Sequence, residues 1–148
     1  MNADPNLAFL VGRFNEARVL CVGDVMLDRF IYGDVSRISP EAPVPVCQVD
    51  DETTMLGGAG NVARNLVALG AGVDFISVTG ADEAGGEVVA MLNDLEGAHA
   101  RLVTEPGRRT TVKTRYFAGI QQLLRADRET DHGISAKIAD GVFDQAVA

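Results

Sequence analysis

Tryptophan is absent from this 148-residue chain, and histidine and cysteine occur only twice each. His99, His132, Cys21 and Cys47 are too few and too scattered for a structural zinc site, which takes four nitrogen or sulfur ligands. No metal centre is therefore expected. Both cysteines lie in apolar, strand-like stretches, which predicts buried reduced thiols in a cytoplasmic protein. Basic residues are also scarce, with 13 Lys and Arg against 21 Asp and Glu and a net charge of −8. That balance argues against a nucleic-acid or membrane-surface partner. No apolar run approaches the roughly 20 residues that span a bilayer. A basic segment followed by an apolar core is missing as well, so no secretory signal is expected.

What the chain does have is a composition that is 47% apolar and rich in glycine. This is the make-up of a core-forming globular domain. Leu7, Leu10, Val11 and Phe14 recur at helical spacing and predict a short amphipathic helix over 5–16. Residues 19–22 form a brief apolar run ending at Gly23-Asp24, the pattern of a buried parallel strand. Between 30 and 49 the pattern changes, and Pro40, Pro43 and Pro45 exclude a helix. Proline is tolerated on edge strands, so two edge-like strands forming a flap are expected there. A helix marked by Val62, Leu66 and Leu69 follows, stopped by Gly70 and Gly72. A strand over 73–78 comes next, then a helix carrying Val88, Leu92 and Leu95. Residues 110–117 alternate as a strand, Gly119 turns, and 121–125 return, which adds two strands to the flap. Ile134, Ile138, Val142 and Phe143 predict a last helix over 134–148. Alternating helices and strands at this spacing indicate an α/β fold. The strands are few for a parallel sheet, which suggests the front half of a larger domain or a sheet completed by another chain.

The chemistry gathers around Gly57-Gly58-Ala59-Gly60-Asn61. Two glycines at a helix start let a ligand approach bare backbone. The first N–H groups of the helix have no partner within it, and the Asn61 amide adds a donor and an acceptor. Gly58-x-Gly60-x-x-Ala63 loosely fits a dinucleotide-binding turn, but there the glycines follow a buried first strand. Asp50-Asp51-Glu52-Thr53-Thr54 makes a poor one, and Asp74 begins the next strand instead of ending it. The lysine of a Walker loop is absent too. Asp24 and Asp28 lie past the first strand, where open α/β sheets bind ligands; a carboxylate there can accept two sugar hydroxyls. Period-2 alternation puts Thr111, Lys113 and Arg115 on one strand face. Two cations so placed could hold a phosphate, and Arg37 on the flap is a third candidate.

Together these segments resemble the ribokinase-like (PfkB) carbohydrate kinases, and among them those acting on heptose 7-phosphate. The likeness rests on residues 23–29, on Ser36-Arg37-Ile38-Ser39-Pro40-Glu41-Ala42-Pro43-Val44-Pro45-Val46, on the glycines and asparagine at 57–61, and on Gln121-Gln122-Leu123-Leu124-Arg125. The resemblance implies a mostly parallel central sheet flanked by helices, with a small β-sheet lid at about 30–49 and 110–125, and residues 1–148 forming the N-terminal part of one kinase domain. It implies transfer of the ATP γ-phosphate, with Mg2+, to the 1-hydroxyl of heptose 7-phosphate, a step toward ADP-heptose and the lipopolysaccharide core. Asp28, Gly57, Gly58 and Asn61 would line the sugar pocket, with Arg37, Lys113, Arg115 and Gln122 as lid contacts. The lid would also make a homodimer clasp. The family's catalytic aspartate lies in a Gly-Ala-Gly-Asp segment, expected beyond residue 148. Thr79-Gly80-Ala81-Asp82 resembles it only superficially. A kinase of another sugar or a nucleoside, and a non-catalytic sugar-phosphate-binding or dimerisation module, remain open alternatives.

Overall fold

The computed structural model describes residues 5–148 and contains two sheets. The first is parallel, three-stranded and ordered β1 (Arg18–Val22), β4 (Gly72–Gly80), β5 (Ala98–Glu105). The second has four strands in the order β3 (Pro45–Gly58), β2 (Val25–Ile38), β6 (Thr111–Ala118), β7 (Gln121–Arg128). Its strands run antiparallel except for the β2–β6 pair. Helices α1 (Pro5–Val11), α2 (Ala59–Ala68), α3 (Glu83–Asn93) and α4 (Ala136–Val147) complete the fold.

Val73 and Phe75 of β4 pack with Ala63 of α2 and with Val88 and Leu92 of α3. Leu27, Leu56 and Val112 of the second sheet join the same cluster. The two sheets therefore share one core, and the root of the second sheet is anchored in it. Helix α4 lies against the opposite face of the first sheet, with Gly141 beside Val103. Asp82 caps α3 by accepting the Gly85 N–H at 2.9 Å, satisfying one of the donors every helix start leaves open. Arg29 of β2 reaches Glu87 of α3 at 2.5 Å.

Polar groups of the first sheet fix the points where the chain crosses between sheets. Ser77, buried on β4, accepts the Val25 N–H at 3.0 Å and donates to the Gly23 carbonyl at 2.6 Å. Asp82 also accepts the Thr110 N–H at 3.0 Å, and Thr110 Oγ1 accepts the Gly80 N–H at 2.9 Å. Glu105 at the end of β5 takes Arg108 at 2.5 Å and the Ser135 N–H at 2.9 Å. The Arg108 contact, then the Ser135 hydrogen bond, holds its carboxyl down at about 2.

Three local expectations are corrected. The flap strand expected to end near 49 continues through 50–54 to Gly58 as β3, whose charged run is tolerated because β3 is a sheet edge. The glycines do follow a strand, but an antiparallel one of the second sheet, so the dinucleotide geometry still fails. Strand β5 was not foreseen, because its sequence Ala-His-Ala-Arg-Leu-Val-Thr-Glu mixes polar and apolar residues on a strand paired on one side only. The cysteines are half-buried instead of buried, and neither forms a disulfide. Burial pushes the Cys21 thiol up.

Candidate functional site

Residues directly paired across strands point to the same face of a sheet. In the second sheet this rule assembles successive rows along the strands. Gly57, Met26 and Thr111 form the row nearest the core. Met55, Asp28, Lys113 and Asp127 form the next. Thr53, Phe30, Arg115 and Arg125 form the third, and Asp51, Tyr32, Phe117 and Gln122 the fourth. Gln122 reaches this face only because the β6–β7 register shifts between Tyr116 and Phe117. Asp28, Gly57, Lys113, Arg115 and Gln122 thus share one surface, drawn from four different strands.

The contacts across this face are electrostatic. Arg115 donates to Asp28 Oδ1 at 2.6 Å and lies over the Phe30 ring, 5.2 Å from its centre. Phe30, Tyr32 and Phe117 stack beside it with ring centres 5.2–6.5 Å apart. Lys113 donates to Asp127 at 3.0 Å and to Glu129 at 3.2 Å, and the Asp127 contact leads in raising its pKa. Asp127 also accepts two bonds from Arg125, each 2.9 Å long. Lys113 first and then Arg125 hold the Asp127 carboxyl below its ordinary value.

The two glycines are required by this geometry. A Cβ on Gly57 would collide with the Asp28 carboxylate and with Met26. Gly58 has φ +56°, and a Cβ there would strike the Asp24 carbonyl. Asn61 follows in the first turn of α2, where its Oδ1 accepts Arg64 at 2.8 Å. Arg64 also extends toward the Met55 sulfur, which ties Asn61 to the Asp28 row. Beside the innermost row opens a cavity of about 750 Å³, lined by Asp24, Met26, Ile76, Thr111, Lys113 and His132 among others. Of the candidate site residues Lys113 lines this cavity, while Asp28, Gly57, Asn61 and Arg115 lie outside its lining, on the sheet face and helix start beside it. That face, with a carboxylate, bare backbone and guanidiniums, can hold a polyhydroxylated anion.

Arg37 stands apart from this group. It is exposed at the far end of β2, opposite Val46, beyond two register shifts. Sequence reasoning singled out neither Arg64 nor Asp127, and it quoted Arg125 only within a motif. The signal for Arg125 and Asp127 was available: i, i+2 spacing places both on the face of Lys113. Asp82, the aspartate of the Thr79-Gly80-Ala81-Asp82 look-alike, is spent on Gly85 and Thr110. Burial pushes its pKa up, but those hydrogen bonds prevail and hold it below the usual value.

Residues 16–136 match the family described as pfkB family carbohydrate kinase. The chain is 58% identical over 130 residues to the bifunctional protein HldE of Rhodospirillum rubrum, covering 88% of this chain and 26% of that protein. It is 51% identical over 133 residues to the D-beta-D-heptose 7-phosphate kinase of Bordetella bronchiseptica, covering 86% of this chain and 42% of that one. The chain thus spans from a quarter to two fifths of the length of these curated relatives. A solved carbohydrate kinase from Agrobacterium tumefaciens superposes with a TM-score of 0.61 at 24% identity, over 76% of this chain and 35% of that one.

Proposed function

The chain belongs to the pfkB family carbohydrate kinases, and from that premise we propose that it is the N-terminal, sugar-binding part of a heptose 7-phosphate kinase domain. The observation that carries this reading is the single charged face holding Asp28, Gly57, Lys113 and Arg115, with Asn61 at the adjoining helix start. Asp28 accepts sugar hydroxyls, the side-chain-free backbone at Gly57 and Gly58 lets the ring approach, and Asn61 supplies an amide to further hydroxyls. Lys113, Arg115 and Gln122 contact the phosphorylated end. Arg37 serves the outer part of the same sheet, which acts as the lid over residues 30–49 and 110–125. The relatives named as heptose 7-phosphate kinase and HldE support that substrate.

The reaction is transfer of the ATP γ-phosphate to the 1-hydroxyl of heptose 7-phosphate, a step toward ADP-heptose and the lipopolysaccharide core. The residues described do not themselves fit ATP or Mg2+. No Walker lysine or Gly-Ala-Gly-Asp segment occurs in the sequence, and no group of three acidic, histidine or cysteine side chains is placed to hold a metal among the described residues. Nucleotide, Mg2+ and the catalytic aspartate belong to the remainder of the domain. No helix among the described residues is long and apolar enough to cross a membrane. A cytoplasmic enzyme that dimerises through the lid completes the proposal.

The test is phosphorus NMR of the full-length protein with ATP, Mg2+ and heptose 7-phosphate. A new anomeric phosphate signal with equimolar ADP is expected. Phosphorylation of an unphosphorylated sugar or a nucleoside in preference would sink the heptose assignment. The 148-residue chain alone should not turn over.

A further inference from the structure

Arg115 and Arg125 stand directly opposite each other on β6 and β7. Like charges so placed repel, so the arrangement needs another reason to exist. Each guanidinium is held by a carboxylate: Arg115 by Asp28, Arg125 by Asp127. Neither carboxylate depends on its arginine alone. Asp127 also binds Lys113 at 3.0 Å, and Asp28 is the group assigned to sugar hydroxyls. Both arginines can therefore turn from their carboxylates to a dianion without leaving a carboxylate bare. Arg115 is held in position by the Phe30 ring, while the Arg125 side chain is 50% exposed.

We propose that Arg125 is a specificity-determining residue that forms, with Arg115, a two-guanidinium clamp for the phosphate of a phosphorylated sugar. The assignment rests on the sugar-phosphate reading given above. Guanidinium pairs suit this task because each can donate two parallel bonds to phosphate oxygens. The backbone of the clamp row lies two residues along the strand from Asp28, about 7 Å, while the Arg115 guanidinium reaches back to Asp28 Oδ1 at 2.6 Å. A sugar whose hydroxyls take the place of Arg115 on Asp28 can extend its exocyclic phosphate outward along the sheet to that row. The acceptor hydroxyl then faces the core-side cavity.

The experiment is calorimetric titration of the full-length protein, as wild type, R125Q and R125K. The probes are heptose 7-phosphate, the unphosphorylated heptose, and hexose 6-phosphates with their parent hexoses. R125Q should bind heptose 7-phosphate about 10–100-fold more weakly, the range of a lost charge-assisted hydrogen bond. Its affinity for the unphosphorylated sugar should change less than about threefold, and R125K should fall between wild type and R125Q. Equal losses toward both sugars would reveal a merely structural residue and overturn the proposal. So would full retention of phosphate preference in R125Q or, if R125Q does not fold, in R125K. A wild type that prefers a hexose phosphate, with that preference lost in R125Q, would keep the clamp and remove the heptose assignment. A wild type indifferent to phosphate across the panel would overturn the clamp.

Discussion

Strands β4 and β7 are of similar length, yet they are built from opposite materials. Strand β4 hides Val73, Phe75, Ile76, Ser77 and Thr79, whereas all eight residues of β7 are exposed. The first is paired on both sides and covered by helices on both faces; the second is the edge of the outer sheet. Packing dictates the sequence of β4, and almost any change there is felt as lost stability. Packing dictates little on β7, so the ordered array of Gln122, Arg125 and Asp127 calls for a different cause. The two strands separate what holds the fold from what the fold presents.

The largest expected effect tests that separation at its strong end. Phe75→Ala removes a fully buried ring from the shared core and should cost about 3–5 kcal/mol in chemical unfolding. Arg125→Ala on the same protein should shift stability by no more than about 0.5 kcal/mol, as exposed sites generally do. Comparable losses at the two positions would erase the distinction.

Next in size is the anchor of the charged face. Asp28→Ala should weaken sugar binding by about 1.5–3 kcal/mol, the worth of a hydrogen bond to a charged group, with nucleotide affinity unchanged in titrations of the full-length protein. An unchanged sugar affinity would remove Asp28 from the site. Gly57→Ala acts on the same carboxylate from below, since its new Cβ would displace Asp28 or Met26. Overpacking of this kind costs about 1–3 kcal/mol, and it should appear mainly as a raised KM for the sugar. A KM equal to wild type would show that the carboxylate moves without consequence.

Strands β1 and β4 of the inner sheet and the helix starts were legible because they rest on local patterns. Apolar runs at 19–22 and 73–78 and the stop at Gly70 carry their own structural signal, but β1 is an edge strand whose Leu20 and Val22 are exposed instead of buried. Strand β5 was not legible, since its half-polar sequence becomes a strand only by pairing with β4. The same holds for 50–54, where Asp50, Asp51 and Glu52 are extended because β2 offers a partner. For the site, the candidates Asp28, Gly57, Lys113 and Arg115 could be named from motif and alternation. Their shared face could not, because it is fixed by the parallel register of β2 on β6, residues 85 positions apart at Asp28 and Lys113. The importance of Asp127 lies in the Lys113 and Arg125 charges it neutralises, and that of Arg64 in holding Asn61, neither of which shows in local sequence.

The smallest effect is a pH slope, and it concerns the junction between the two sheets. Glu105 ends β5, and its carboxylate holds Arg108 and the Ser135 N–H, which lie on the two segments leading into and out of the β6–β7 hairpin. Its folded pKa of about 2 lies below the roughly 4.3 of an unfolded glutamate. A group whose folded pKa is depressed contributes stability that is present above the unfolded pKa and lost as pH falls toward the folded one. Wild type should therefore lose stability as pH drops from about 4.3 toward about 2. Glu105→Gln carries no such charge, so its stability should lack this component, and the gap between the two proteins should close over the same interval. Hydrogen exchange at Thr110 and Ser135 should quicken in the variant at neutral pH, while Phe75 stays protected. A constant gap from neutral pH down to about 2 would mean that the carboxylate's charge is not what ties the hairpin to the inner sheet.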